Sequence, residues 1–258
     1  MCGTDCIWLD MEHCPSDYNE IGKQILAAKA HGAEVIVRTP RGAYSNLTRP
    51  LELDASGIMV PHVMSYEDAK QVVYYSKFHP IGRRAIDGGF ADGLFCQMGT
   101  ADYIEYANNE RLTVIQIEDF EALEEIDEIA AIPGIDMLFF GPADFAHSLG
   151  LAHDMGNPKI AEARRRVAEV ARKHGKLAGT VGGTGNLKDA VYCVYGRDGG
   201  KMIPVESRWD NYTLTGFVSK PTDARPSRSL QTFFVNDRPV KSKLLIQALE
   251  EAYRNQIM

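Results

Sequence analysis

No apolar run in the 258-residue sequence approaches the roughly 20 residues of a membrane-spanning helix. The first residues, MCGTDC, lack the basic and apolar regions of a secretory leader. Paired cysteine spacing is also missing: Cys2, Cys6, Cys14, Cys96 and Cys193 form an odd set with no C-x-x-C. These absences argue against a disulfide scaffold and predict a reduced, cytoplasmic setting without membrane attachment. A metal site on Cys2, Cys6 and Cys14 is conceivable but disfavoured, because structural zinc sites pair their ligands more tightly.

What is present is ordinary for a soluble globular chain: 45% hydrophobic and 24% charged residues. The length suits one large α/β domain or two smaller ones. Charge is uneven. Residues 184–258 carry 11 Lys+Arg against 8 Asp+Glu, whereas residues 1–183 carry 17 against 27. An acidic body with a mildly basic tail suggests two segments of different origin.

Short β-rich apolar runs alternate with amphipathic stretches over the acidic part. CIWLD (6–10) precedes a helical pattern from Ser16, and EVIVR (34–38) follows. GIMVP (57–61) precedes a helix that Ser65 can cap, and LTVIQIE (112–118) precedes EALEEIDEIAAI. IDMLFFG (135–141) leads into PADFAHSLG, then a long helix from about Pro158 to His174, then KLAGT (176–180). Continuous apolar strands alternating with helices predict a parallel sheet of the α/β class. Between Pro80 and Thr100 lies a long Gly-rich loop, of a length usually functional or mobile.

Polar residues recur at one end of these strands. Asp10, Glu12 and His13 follow the first, Arg38 ends the second, Pro61 and His62 the third, Gln116 and Glu118 the fourth, and Gly141 to Asp144 the fifth. In a (β/α)8 barrel the C-terminal strand ends build the active site, so these side chains are expected to converge. Each alone reads as a cap or a solvated loop; their shared position favours chemistry.

The motifs LDMEH, VIVR, GIMVPHV, HPIGRR, QIED, IPGIDMLFFGPADF and SLG, in this order over about residues 5–182, resemble the HpcH/HpaI family of pyruvate aldolases. The resemblance implies a TIM-type barrel. It also implies a carbon–carbon lyase that cleaves 4-hydroxy-2-oxo acids, including 2-keto-3-deoxy sugar acids, to pyruvate and an aldehyde, and catalyses the reverse addition. Breaking that bond requires pyruvate enolate, held by a lysine Schiff base or a metal. No expected strand ends in Lys, since Lys176 begins one, and the sequence favours a metal. By resemblance Glu118 and Asp144 are its ligands, and two carboxylates with open positions suit Mg²⁺ or Mn²⁺. Arg38 would stabilise the enolate oxygen. His13 would be the acid/base, at the 4-hydroxyl or through a water, oriented by Asp54, although the Arg38–Asp54 spacing is about two residues longer than in the family. Gln116 and the backbone of Ala143 and Asp144 would touch pyruvate.

Family members place a strand and a helix before D-x-E-H, and a further helix, strand and exchanged C-terminal helix after the match to GKLAGT. Only about six of eight βα units are expected here, an apparently truncated barrel, and truncation predicts weakened turnover. The family is oligomeric, but the helix exchanged between its dimer partners has no counterpart here and an oligomer is not expected of this chain.

Residues 184–258 differ. GNLKDAVYCVYGRDGGKMIPVE, YTLTGFVSKP and SRSLQTFFVNDRPVKSKLLIQALEEAYRN resemble part of the second domain of MutL-type mismatch-repair proteins. The pattern predicts a helix (186–195), strands (201–206, 212–218, 230–236) and a helix (240–255), a small α+β fragment. That family's ATPase motifs are absent. Arg225, Arg228, Arg238, Lys241 and Lys243 could meet phosphates, but net +3 over 75 residues is modest, and solvated loops are the favoured reading. The assignment is therefore residues 1–183 as an aldolase-like barrel and 184–258 as a MutL-like fragment. Two alternatives stay open: a fusion product without selected function, and a repair-type binding module lacking its ATPase.

Overall fold

Val35 and Val37, Ile58 and Val60, Ile115 and Ile117, Leu138 and Phe140 sit two apart along four successive strands, and none is more than 5% exposed. Period-two spacing places them on one face of a sheet. A computed structural model describes residues 5–181 and, beyond them, 201–210, 212–223, 231, 233–235, 238–240 and 242–254. One compact unit spans Thr4–Val181. It is a parallel six-stranded sheet in the order of the chain: β1 (Cys6–Asp10), β2 (Glu34–Arg38), β3 (Gly57–Val60), β4 (Leu112–Ile117), β5 (Met137–Phe140) and β6 (Leu177–Thr180).

Helices cover the apolar face. Ile21 and Ile25 of α1 (Tyr18–Ala30) pack with Val35 and Val37. The larger cluster gathers Leu47 and Leu51 of α2 (Tyr44–Glu52), Val72 and Val73 of α3 (Tyr66–Ser76), Ile126 and Ile129 of α6 (Ile126–Ala131), and Ile160 and Val167 of α8 (Pro158–Lys173). The opposite face carries Trp8, Asp10, Arg38, Gln116 and Phe139. Although β1 and β5 are not neighbours in the sheet, the rings of Trp8 and Phe139 meet edge to face with centroids 5.6 Å apart. The sheet is therefore curled, a half-barrel whose hollow side bears the polar strand ends. The edge strands β1 and β6 are the exposed ones, while every residue of β3 is buried.

The expected strands are all present, and Ser65 caps α3, its hydroxyl accepting from the Asp68 amide at 3.2 Å. Two expectations change, and two helices appear where none was expected. EALEEIDEIAAI forms two helices, α5 (Phe120–Glu124) and α6, which part at Glu125. Helix α2 was hidden by its interior Pro50, and α4 (Thr100–Glu110) by burying only Tyr103 and Ala107. The Gly-rich loop is pinned. Arg84 donates to Asp92 at 2.7 Å and to the Tyr103 hydroxyl at 3.1 Å, and that hydroxyl donates to Asp92 at 2.7 Å, all three residues being buried.

The other unit contributes an antiparallel hairpin of β7 (Ile203–Trp209) and β8 (Tyr212–Val218), a second antiparallel pair of β9 (Phe233–Val235) and β10 (Arg238–Val240), and α9 (Lys243–Tyr253). Ser242 caps α9 by accepting from the Leu245 amide. The helix expected at 186–195 and the junction at 183/184 lie outside the described residues. Among the described residues no helix is long and apolar enough to cross a membrane.

Candidate active site

The register of β1 on β2 sets Asp10 opposite Arg38, at the last rung of both strands. Arg38 donates to Asp10 through Nε at 2.9 Å and Nη2 at 2.6 Å, and its Nη1 lies 3.2 Å from Glu12 Oε2. The guanidinium lies over the Trp8 ring, 5.0 Å from its centroid. A two-toothed Arg–carboxylate pair fixes the plane as well as the position of the cation. Arg38 holds the Asp10 carboxyl below its ordinary range, and Asp10 in turn raises Arg38.

Glu118 follows β4 and is 1% exposed. Its Oε1 accepts from the His62 amide at 2.9 Å, and its Oε2 from the Gln116 amide group. Burial raises the Glu118 pKa; His62 and Gln116 oppose the rise, and the charge of Asp144 adds to it. Gly141, after β5, leaves the room Glu118 occupies: a Cβ there would lie 2.5 Å from Glu118 Oε2 and 2.9 Å from its Cβ. Pro142 then opens α7 (Pro142–Ser148), which has Asp144 in its first turn. His62 has a left-handed backbone, φ 49°. Its Nδ1 lies 3.0 Å from Asp119 Oδ2 and its Nε2 3.6 Å from Glu12 Oε1. Burial acts to lower the His62 pKa, but Asp119, Glu118 and Glu12 outweigh it and hold it above its ordinary value.

Contacts thus join Arg38, Gln116 and Glu118 to Asp10, Glu12 and His62, and Asp144 acts on Glu118 through its charge. His13 is exposed and 3.6 Å from Glu12. Ala143 is exposed in the first turn of α7. Asp54 is a correction. It precedes β3, at the opposite end of the sheet, where it pairs with Arg111 and, at 2.9 Å, with Lys29. It does not orient His13. The Arg38–Asp54 spacing, about two residues longer than in the family, was the one warning; the turn out of α2 leaves Asp54 before its strand and not after it. Conversely, Asp10, Glu12 and His62 were visible as strand-end polar residues but received no role.

The donors suit a hard divalent cation. Glu118 and Asp144 offer carboxylate oxygens, and the buried Gln116 Oε1 has no hydrogen-bond partner. Among the described residues no group of three or more His, Cys, Asp or Glu side chains converges as a ready-made cage. The protein would supply few ligands and leave positions open, as Mg²⁺ and Mn²⁺ sites in enzymes do. Cys6 and Cys14 are exposed and form no such group, and Cys2 lies outside the described residues. Among the described residues one lysine has the burial and lowered pKa that Schiff-base lysines show. It is Lys77, 1% exposed and lowered by burial. Lys77 sits at the far end of the sheet, bonded to the carbonyls of Asn108 and Arg111 and 3.4 Å from Asp136.

Comparison with known proteins identifies the family and agrees with the fold. Residues 1–191 match the model of the HpcH/HpaI aldolase/citrate lyase family, and residues 192–258 that of the DNA mismatch repair protein, C-terminal domain. The chain is 33% identical over 178 residues to the 2-keto-3-deoxy-L-rhamnonate aldolase of Klebsiella pneumoniae, covering 69% of this chain and 66% of the relative. It is 36% identical over 184 residues to the hydroxypyruvate/pyruvate aldolase of Paraburkholderia phytofirmans, covering 69% and 70%. The crystal structure of the HpcH/HpaI aldolase from Desulfitobacterium hafniense superposes with a TM-score of 0.65 at 32% identity, covering 69% of this chain and 68% of that one. The chain thus spans about two thirds of the length of the curated relatives it matches. With its curled parallel sheet and carboxylate-rich strand ends, the chain belongs to the HpcH/HpaI aldolase/citrate lyase family.

Proposed function

We propose that this chain is a divalent-metal-dependent aldehyde-lyase that cleaves 4-hydroxy-2-oxo acids, 2-keto-3-deoxy sugar acids among them, to pyruvate and an aldehyde, and runs the reverse addition. The observation that carries the reading is Glu118: a carboxylate buried at a strand end, within electrostatic reach of Asp144, in a cluster where anions outnumber cations. Glu118 and Asp144 would hold Mg²⁺ or Mn²⁺, and such a cation supplies positive charge to the developing enolate. Arg38, already oriented by Asp10 and Glu12, presents a fixed planar cation toward the same oxygen and needs no reorganisation as charge builds. His13 accepts the 4-hydroxyl proton as the C3–C4 bond breaks and its electrons form the enolate, then returns a proton to C3 to give the pyruvate methyl. Gln116 and the backbone of Ala143 and Asp144 contact pyruvate. In this reading residues 1–183 are the lyase unit, and residues 184–258 take no part in the reaction.

The test is pyruvate release from a 4-hydroxy-2-oxo acid by the purified chain with added Mn²⁺, with and without a chelator. Release that the chelator abolishes is the expected outcome. Release at the same rate in chelator overturns the metal role, and no release under either condition overturns the lyase assignment.

A further inference from the structure

His62 combines two features that pull against each other. Its φ of 49° is a conformation that glycine adopts freely and other residues adopt at a cost of about 1–2 kcal/mol. Yet the position holds one of the bulkier polar side chains. The backbone accounts for the left-handed turn: Pro61 ends the strand, and the turn points the His62 amide into the site, where it donates to Glu118 Oε1 at 2.9 Å. Glycine would serve that purpose without strain, so the imidazole must have its own use.

The ring reaches two further carboxylates, Asp119 Oδ2 at 3.0 Å and Glu12 Oε1 at 3.6 Å. Glu12 is also 3.2 Å from Arg38 and 3.6 Å from His13. One residue therefore links the chain after β1, the end of β3 and the chain after β4. Asp119 directly follows Glu118, so a bond that fixes Asp119 also fixes the backbone from which Glu118 projects. Strain kept at a site where its surroundings over-determine it points to a functional constraint.

We propose that His62 is a positioning residue, whose ring locks Asp119 and Glu12 while its amide orients Glu118 for a divalent cation. The inference rests on the metal-dependent reading above. Groups that orient metal ligands without touching the metal change affinity or activity by about 10–100-fold when removed.

The experiment measures Mn²⁺ binding to the full chain by the loss of the free-ion electron paramagnetic resonance signal, together with thermal unfolding. His62→Gly keeps the amide and suits the backbone. It is expected to unfold no earlier than the unaltered chain but to bind Mn²⁺ about 10-fold more weakly. His62→Asn, which tolerates the left-handed region and retains a donor for Asp119, is expected to recover part of that loss. Equal Mn²⁺ affinity of His62→Gly and the unaltered chain overturns the inference. So does a loss of binding that accompanies unfolding in both variants, because the role would then be only structural. Glu118→Gln separates the two ideas. If it binds Mn²⁺ as the unaltered chain does, or if neither binds, the metal reading fails and takes the inference with it. If only Glu118→Gln is impaired, the metal reading stands and the inference alone falls.

Discussion

The two ends of the parallel sheet both carry ionic clusters, and they are built differently. Where the strands begin, Lys29, Lys77 and Arg111 are each paired with a carboxylate of Glu34, Asp54 or Asp136. Where the strands finish, Asp10, Glu12, Glu118 and Asp119 face Arg38 and His62. Anions are in excess there even with His62 protonated, and Asp144 adds to the excess at Glu118. A balanced cluster satisfies itself and serves the fold. An unbalanced one keeps anions together against their repulsion, which a shared cation or a proton relieves. The contrast fits a stabilising role for one end and, in the reading proposed above, cation binding at the other.

The strongest way to break that contrast is at Glu118. Glu118→Gln is expected to lower metal-dependent pyruvate release by about 10²–10³-fold, because a ligand and its charge are lost. The same change should leave thermal unfolding unchanged or raise its midpoint, since a buried charge has been removed. A clear drop in the midpoint would show that this end is structural too. Next comes Arg111→Ala at the other end. Losing Arg111 removes one of the two cations paired with Asp54 and the donor to the Asp54 and Ala55 carbonyls, so denaturant unfolding should report a loss of about 2–3 kcal/mol. Mn²⁺ affinity should not change. Gly141→Ala is intermediate: its Cβ must displace the Glu118 carboxylate. We expect about 1–3 kcal/mol of overpacking strain by the same denaturant measurement, together with weakened Mn²⁺ binding. The smallest effect is expected for Lys77→Met, about 1–2 kcal/mol, because the stem packing is retained and only the ammonium's bonds are lost. A loss as large as that of Arg111→Ala would mean that the lysine, and not the arginine, anchors the lower cluster.

The fold was legible because buried parallel strands read as short apolar runs, and each of the six such runs became a strand. The strand-end rule also located Glu118, Arg38 and Gln116, since a strand's last residues must point at the mouth of the curl. It failed where a residue's place depends on the turn that delivers it. Asp54, with φ 75°, leaves α2 in a left-handed turn that ends below the sheet. His62 escaped assignment for a related reason: its importance lies in a backbone angle and in distances to Glu118, 56 positions away, and Asp119, 57 away. No local pattern in GIMVPHV encodes either. The division of α5 from α6 and the helix containing Pro50 were settled by packing against the sheet, which outweighs propensity.

The meeting of Trp8 with Phe139 has an optical consequence. The sequence has two tryptophans, Trp8 and Trp209, and Trp8 lies under the Arg38 guanidinium on the hollow side of the sheet. Trp209 stacks on Tyr212 in the other unit. A Trp209→Phe chain would thus carry a single tryptophan, which can be excited selectively over the tyrosines, seated beside the arginine expected to meet the substrate. Its emission should shift when pyruvate enters and stay still in denaturation steps confined to the other unit, so that occupancy and unfolding can be followed in one cuvette by the colour of one residue.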